Sequence, residues 1–352
     1  MVGRDLNGDG DMDDTIATDA RGGARTFDQP GVANDPGAID LGAFEIQTAF
    51  STDGGGGDGG GGGGADGGGG GGTAGQTSTG TDGADTLTGS DGAETLSGGA
   101  GADTTTGGGG ADTIFSGEGD DQSFGGEGDD VIFGGEGDDT SAGGDGNDQL
   151  FGGTGNDEQT GGAGNDAIGG GEGNDQAFAG EGDDNVFGGG GADTSYGGEG
   201  SDKIYGGEGD DTNAGGNGDD EIGGGRGNDE VAAGAGADTV YGGAGADTIF
   251  AGSGADSVFG GPGDDVVFLG ANDGAQDVYA SAADNGSDVV WGFEDGTDLL
   301  NLTASGFTSF ADLSGRIGQD ADGNATIDLG DGNVLTLQGI AQSDLDESDF
   351  QF

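Results

Sequence analysis

Residues 80–268 are a single nine-residue phrase repeated 21 times without an insertion or a deletion. The phrase is G-G-x-G-x-D-x-U-x, with U a large apolar residue; clean copies are GGEGDDVIF (125–133), GGDGNDQLF (143–151), GGAGADTIF (242–250) and GGPGDDVVF (260–268). One copy among 98 glycines would be accidental, but 21 copies in register are not. The first six positions are polar and glycine-rich, so they turn sharply and take φ > 0 without a Cβ penalty. The last three alternate as a very short strand does, with the eighth residue pointing inward and its neighbours outward. Two units of turn and strand close one 18-residue coil, and stacking at about 4.8 Å per coil predicts a rod about 50 Å long. The expected fold is all-β: a parallel β-roll (a β-helix or solenoid) of 21 nonapeptides.

The sixth position carries the chemistry. From the third unit on it is Asp103, Asp112, Asp121, Asp130, Asp139, Asp148, Asp157, Asp166, Asp175, Asp184, Asp193, Asp202, Asp211, Asp220, Asp229, Asp238, Asp247, Asp256 and Asp265; Glu94 in the second unit departs from the pattern. Stacking sets the Asp of each unit beside the Asp two units on, so Asp130 adjoins Asp148. Unpaired carboxylates about 5 Å apart repel. A hard cation with oxygen ligands removes the conflict, and glycine turns offer carbonyls as further ligands. Ca²⁺ suits such a flexible, carbonyl-rich turn better than octahedral Mg²⁺. One ion for each stacked pair gives 19 candidate sites for the 21 units. The fifth position is often Asp or Asn (Asp120, Asp129, Asn147, Asn156, Asp183), placed to orient the turn.

The run resembles the RTX, or haemolysin-type calcium-binding, repeat of Gram-negative exoproteins. That resemblance implies Ca²⁺ held between adjacent coils by the sixth-position aspartates and turn carbonyls. It also implies a type I exporter as partner, export led by the C-terminus, and folding outside the cell.

Metal has to supply part of the folding energy. Fourteen of the 21 U positions are aliphatic, and ten of them form one row: Leu96, Ile114, Ile132, Leu150, Ile168, Val186, Ile204, Ile222, Val240 and Val258. The opposite row is poor from Thr105 to Asn213, through Ser123, Ser141, Gln159, Ala177 and Ser195, and predicts a thin or hydrated inner face there. So few aliphatics do not offset the backbone entropy of so many glycine-rich residues. The repeats are therefore expected to be disordered without Ca²⁺.

Seventy acidic against 6 basic residues give a net charge of −64, with no histidine. Such a chain repels nucleic acid and anionic membranes. The absence of cysteine excludes disulfides and Cys-based zinc sites. No apolar run reaches the ~18 residues of a membrane span, and residues 1–52 show no basic and apolar leader. With no His, no Cys, no H-E-x-x-H and no G-x-S-x-G, the chain is expected not to be an enzyme. The competing expectation is the calcium-binding and secretion part of a secreted polysaccharide-modifying enzyme or protease.

Four segments are expected: a short N-terminal one (1–52), a glycine-rich linker (53–79), the roll (80–268), and a C-terminal cap with a secretion signal (269–352). In the last, DVVWGF (288–293) and DLLNL (298–302) alternate, NATIDL and NVLTLQGI flank GDG as a β-hairpin, and FTSFADLSGRIG (307–318) reads as a short helix. It is similar to the C-terminal segment of RTX exoproteins through Asp288, Val290, Phe293, Gly296, Asp298, Leu300 and Leu302, and through the ending SDFQF. In the first segment, Asp5 to Asp13 matches half of a D-x-[DN]-x-D-G calcium loop and lacks its twelfth-position carboxylate. AIDLGAFEIQ (38–47) resembles the closing strand of right-handed β-helix domains of bacterial surface proteins. Outward aromatics such as Phe115, Phe133, Phe151, Phe178, Tyr196 and Tyr205 predict surface ladders. The function expected is a secreted calcium-binding protein with a structural, adhesive or matrix role, its outside partner a polysaccharide or the cell surface.

Overall fold

The computed structural model describes residues 76–270, 274–281 and 286–352. The expected loop at Asp5–Asp13, the strand at 38–47 and residues 53–75 of the linker lie outside the described residues. The chain winds into two parallel sheets that face each other across a narrow core. Through the repeats successive strands alternate between them, so each strand pairs with the strand two further on. Among the described residues one sheet has 14 strands and the other 15. Register is that of the repeat: Ile114 pairs with Ile132 and Ile132 with Leu150 in the first sheet, Ser123 with Ser141 in the second.

The strands are longer than the sequence suggests. Val131–Glu136 is typical: it takes the last three residues of one unit and the first three of the next. Its inward residues are Ile132 and Gly134, so the first-position glycine is core as well as turn. The bend is confined to the fourth to sixth positions. Glycines at positive φ lead into it and open it, such as Gly126 (121°) and Gly128 (125°), a region costly for any residue with a Cβ. The glycines concealed the longer strand, because their weak strand propensity makes them read as loop.

The core is two single files. The aliphatic row from Leu96 to Val258 lines the first sheet, each residue at most 1% exposed. The second sheet's polar row is buried just as deeply: Thr105, Ser123, Ser141, Gln159, Ser195 and Asn213 are 0–3% exposed. Ser123 shares a 2.6 Å hydroxyl contact with Ser116, and Gln159 Nε2 donates to the Gly169 carbonyl at 3.1 Å. Ser195 Oγ has no hydrogen-bond partner. Removing a buried, unpaired hydroxyl recovers about 1–3 kcal/mol. Ser195→Val should therefore raise the thermal midpoint of the calcium-loaded chain by a few degrees, whereas Ser123→Val, which strands Ser116, should not. A calorimetric midpoint for Ser195→Val at or below that of the parent would count against this picture.

Both ends of the roll extend past the repeat. Gln76–Thr79, in the stretch read as linker, already pairs with residues 94–97. Beyond residue 268, Val278–Ala280, Leu299–Asn301 and Phe350–Gln351 extend the first sheet in turn. Val289–Trp291 extends the second, followed by Asn333–Gln338 of an antiparallel hairpin with Ala325–Gly330, whose turn holds Asp331 at φ 53°. The stretch at 307–318 forms only one helical turn, Phe310–Leu313, capped by Ser309. Outside, the aromatics stack as ladders: Phe115, Phe133 and Phe151 at 5.1 Å between successive rings, and Phe178 with Tyr196 at 5.2 Å.

Candidate metal centre

The 19 sixth-position aspartates from Asp103 to Asp265 are buried, between 0 and 3% exposed. They form two columns, one at each edge of the roll. Asp112 to Asp256 precede strands of the first sheet, and Asp103 to Asp265 those of the second.

The two oxygens of each carboxylate have different surroundings. Oδ1 accepts the backbone N–H of the aspartate one coil earlier, for example Asp130 from Asp112 at 2.7 Å and Asp157 from Asp139 at 2.8 Å. Oδ2 is buried and has no donor, from Asp103 through Asp247 and again at Asp265. A buried carboxylate oxygen without a partner costs several kcal/mol, so its recurrence at every coil calls for a ligand that supplies positive charge.

The space beside Oδ2 is lined by oxygen. A Cβ built on Gly125 would stand 2.3 Å from Asp130 Oδ2 and 2.6 Å from the Gly143 carbonyl of the next coil. Gly161 repeats this with Asp166 Oδ2 at 2.3 Å and the Ala179 carbonyl at 2.6 Å. A carboxylate oxygen and a main-chain carbonyl thus face one small gap that glycine leaves open, the donor set of a hard cation. Alanine takes the first position at Ala179, Ala233 and Ala251, which brings a methyl close to the same gap. Among the described residues no three acidic side chains converge on one point, so further ligands there would come from the main chain.

Electrostatics points the same way. Burial pushes the carboxyls of Asp139, Asp166, Asp175, Asp220 and Asp265 up to about 7, from an ordinary 3.8. It pushes Asp130, Asp202, Asp211 and Asp229 up to about 6. The amide on Oδ1 works against the rise, and carboxylates in adjacent coils add to it. Charged and alone, these groups are unstable where the fold holds them.

The fifth position holds the turns in register, as its residue types suggest. Asp129 Oδ1 accepts the Asn147 amide at 2.8 Å, and Asn147 Oδ1 accepts the Asn165 amide at 2.8 Å.

The RTX calcium-binding nonapeptide repeat matches in overlapping stretches that together span residues 70–274. The chain belongs to the RTX family. Its repeats are thus of a calcium-binding kind. No curated protein matches the chain. Among solved structures, the extracellular lipase LipA from Serratia marcescens is similar at 19% identity, with 58% of this chain and 40% of the lipase covered and a TM-score of 0.26. The AlgE6R2 subunit of the Azotobacter vinelandii mannuronan C5-epimerase is similar at 25% identity, with 40% of this chain and 91% of that subunit covered and a TM-score of 0.17.

The RTX columns also continue past the last nonapeptide. Asp256 donates its amide to Asp277 Oδ1 at 2.9 Å and Asp277 to Asp298 Oδ1 at 3.0 Å; Asp265 donates to Asp288 Oδ1 at 3.2 Å. Spacings of 21 and 23 residues replace 18, which is why counting by nines misses these positions. A signal was present: Asp277-Val-Tyr, Asp288-Val-Val and Asp298-Leu-Leu keep the aspartate two residues before an inward apolar residue.

Proposed function

We propose that this chain is a secreted calcium-binding protein whose repeats fold on Ca²⁺ outside the cell and serve a structural, adhesive or matrix role without catalysis of their own. The buried Oδ2 rows, one oxygen per nonapeptide and facing a carbonyl across a glycine gap, carry this reading. Asp103 to Asp265 are the metal-ligating carboxylates, with turn carbonyls completing each site. The ion supplies the positive charge that the interior otherwise lacks, and the chain's own residues set the spacing and keep water away.

Secretion follows from the same chemistry. A chain that is unfolded at cytoplasmic calcium and folded at extracellular calcium passes a narrow type I exporter extended and locks on exit. Residues 269–352 carry the export signal in this reading. Extracellular calcium modules typically bind in the range of about 0.1–1 mM. A polysaccharide or the cell surface is the partner on the outside; among the described residues no helix is long and apolar enough to cross a membrane.

The test is export from a Gram-negative host producing a type I exporter, with and without residues 269–352. The full chain should reach the medium and resist protease there in about 1 mM Ca²⁺ but not in chelator. Export that persists without the segment would sink the secretion reading.

A further inference from the structure

The two carboxylate columns have built ends. Inside them, Oδ2 has no donor from Asp103 to Asp247 and at Asp265. At the first member of each column the second oxygen is already taken. Asp85 Oδ2 accepts from Thr81 N at 2.6 Å and Thr81 Oγ1 at 2.8 Å. Glu94 accepts from Ser90 N and Ser90 Oγ, each at 2.8 Å. Thr81 and Ser90 occupy the second position, where the later units carry glycine at positive φ.

The last members are closed too, by different donors. Asp298 Oδ2 accepts the Glu294 amide at 2.7 Å. Asp288 Oδ2 accepts the Tyr279 hydroxyl at 2.7 Å, and both residues are 0% exposed. Tyr279 stands in the inward aliphatic file, between Val258 and Leu300 in register. A file of Ile, Leu and Val has no packing need for a phenol. Its hydroxyl reaches one atom, the oxygen that elsewhere in the column lacks a donor.

We propose that the chain's own donors close both calcium columns, so that Asp85, Glu94, Asp288 and Asp298 take no ion and the number of ions is fixed by Thr81, Ser90, Tyr279 and the Glu294 amide. A neutral donor satisfies one lone pair without demanding further ligands, so the last coil needs no following coil to complete it. Tyr279 is then the stop of the second column, and removing its hydroxyl leaves Asp288 in the situation of Asp265 before it.

This inference rests on the calcium reading above, and the experiment separates the two. Native mass spectrometry of the full 33.3 kDa chain at saturating Ca²⁺ counts single ions. Asp175→Asn, inside a column, should bind fewer ions than the parent. Asp288→Asn should bind the same number, because its partner is Tyr279, and Tyr279→Phe should bind one more. A lower count for Asp288→Asn, or an unchanged count for Tyr279→Phe, overturns the closed ends. An unchanged count for Asp175→Asn overturns the calcium reading itself. Should Tyr279→Phe fail to fold, Asp85→Asn reports on the opposite end of the same column, where Thr81 N–H and Oγ1 already hold the carboxylate, and should leave the ion count unchanged; a lower count there overturns the proposal.

Discussion

Withdrawing calcium is expected to unfold the roll. Far-UV circular dichroism of the full chain in chelator should show coil, and Ca²⁺ should restore the β signal in one cooperative transition below about 1 mM. The same concentration of Mg²⁺ should not. Carboxylates about 5 Å apart at an effective dielectric of about 20 repel by roughly 3 kcal/mol per pair, and each column stacks one such pair per coil. Against that stand a single aliphatic file and a second file that from residue 105 to 213 holds Ser, Thr, Gln, Asn and one Ala. Cooperativity is expected because, in the reading proposed above, each site draws on two coils, so filling one orders the strand for the next. A β spectrum in chelator at neutral pH would show that packing alone suffices, and the export logic would fall with it.

Acid is expected to do part of what calcium does. Asp139, Asp166, Asp175, Asp220 and Asp265 are raised to about 7 in the metal-free fold, chiefly by burial, against 3.8 ordinarily. A folded-state value above the unfolded one means that the fold takes up protons. That stability is fully present below about 3.8 and is lost as pH rises through 6 to 7. In chelator, therefore, β signal should grow as pH falls from 7.5 toward about 4.5, a window set by the same shifts. In calcium the sign reverses: protons compete for the ligands, and the half-saturating Ca²⁺ concentration should rise as pH falls through 7 to 6. A chain that stays coil at pH 4.5 in chelator would contradict this, as would calcium affinity flat across the window.

The repeat made much of this legible in advance. The nine-residue count sets Ile132 beside Leu150 and Asp130 beside Asp148, and the structure places both pairs so. The outward aromatic ladders follow from the same arithmetic. Legibility failed where side-chain identity stops reporting conformation. Gly134 and Gly135 are strand by register and loop by composition. Asp277 and Asp288 belong to the columns, but insertions displace them from the count. The polar file was visible as a row, whereas its complete burial depends on a backbone that holds the two sheets together regardless of what lines the second.

The amide-to-carboxylate ladder runs one way only. In every coil the donor is the earlier aspartate and the acceptor lies one coil nearer the C-terminus, as with Asp139 N–H to Asp157 and Asp157 N–H to Asp175. The two ends of a shortened roll are therefore unlike. Trimming from the N-terminus leaves a carboxylate oxygen without its amide, and trimming from the C-terminus leaves an amide N–H without its carboxylate. This ladder is a ratchet set into a two-way lattice: its pawls all point toward the C-terminus, while the main chain bonds back as well, as Gln122 N–H does to the Asp103 carbonyl.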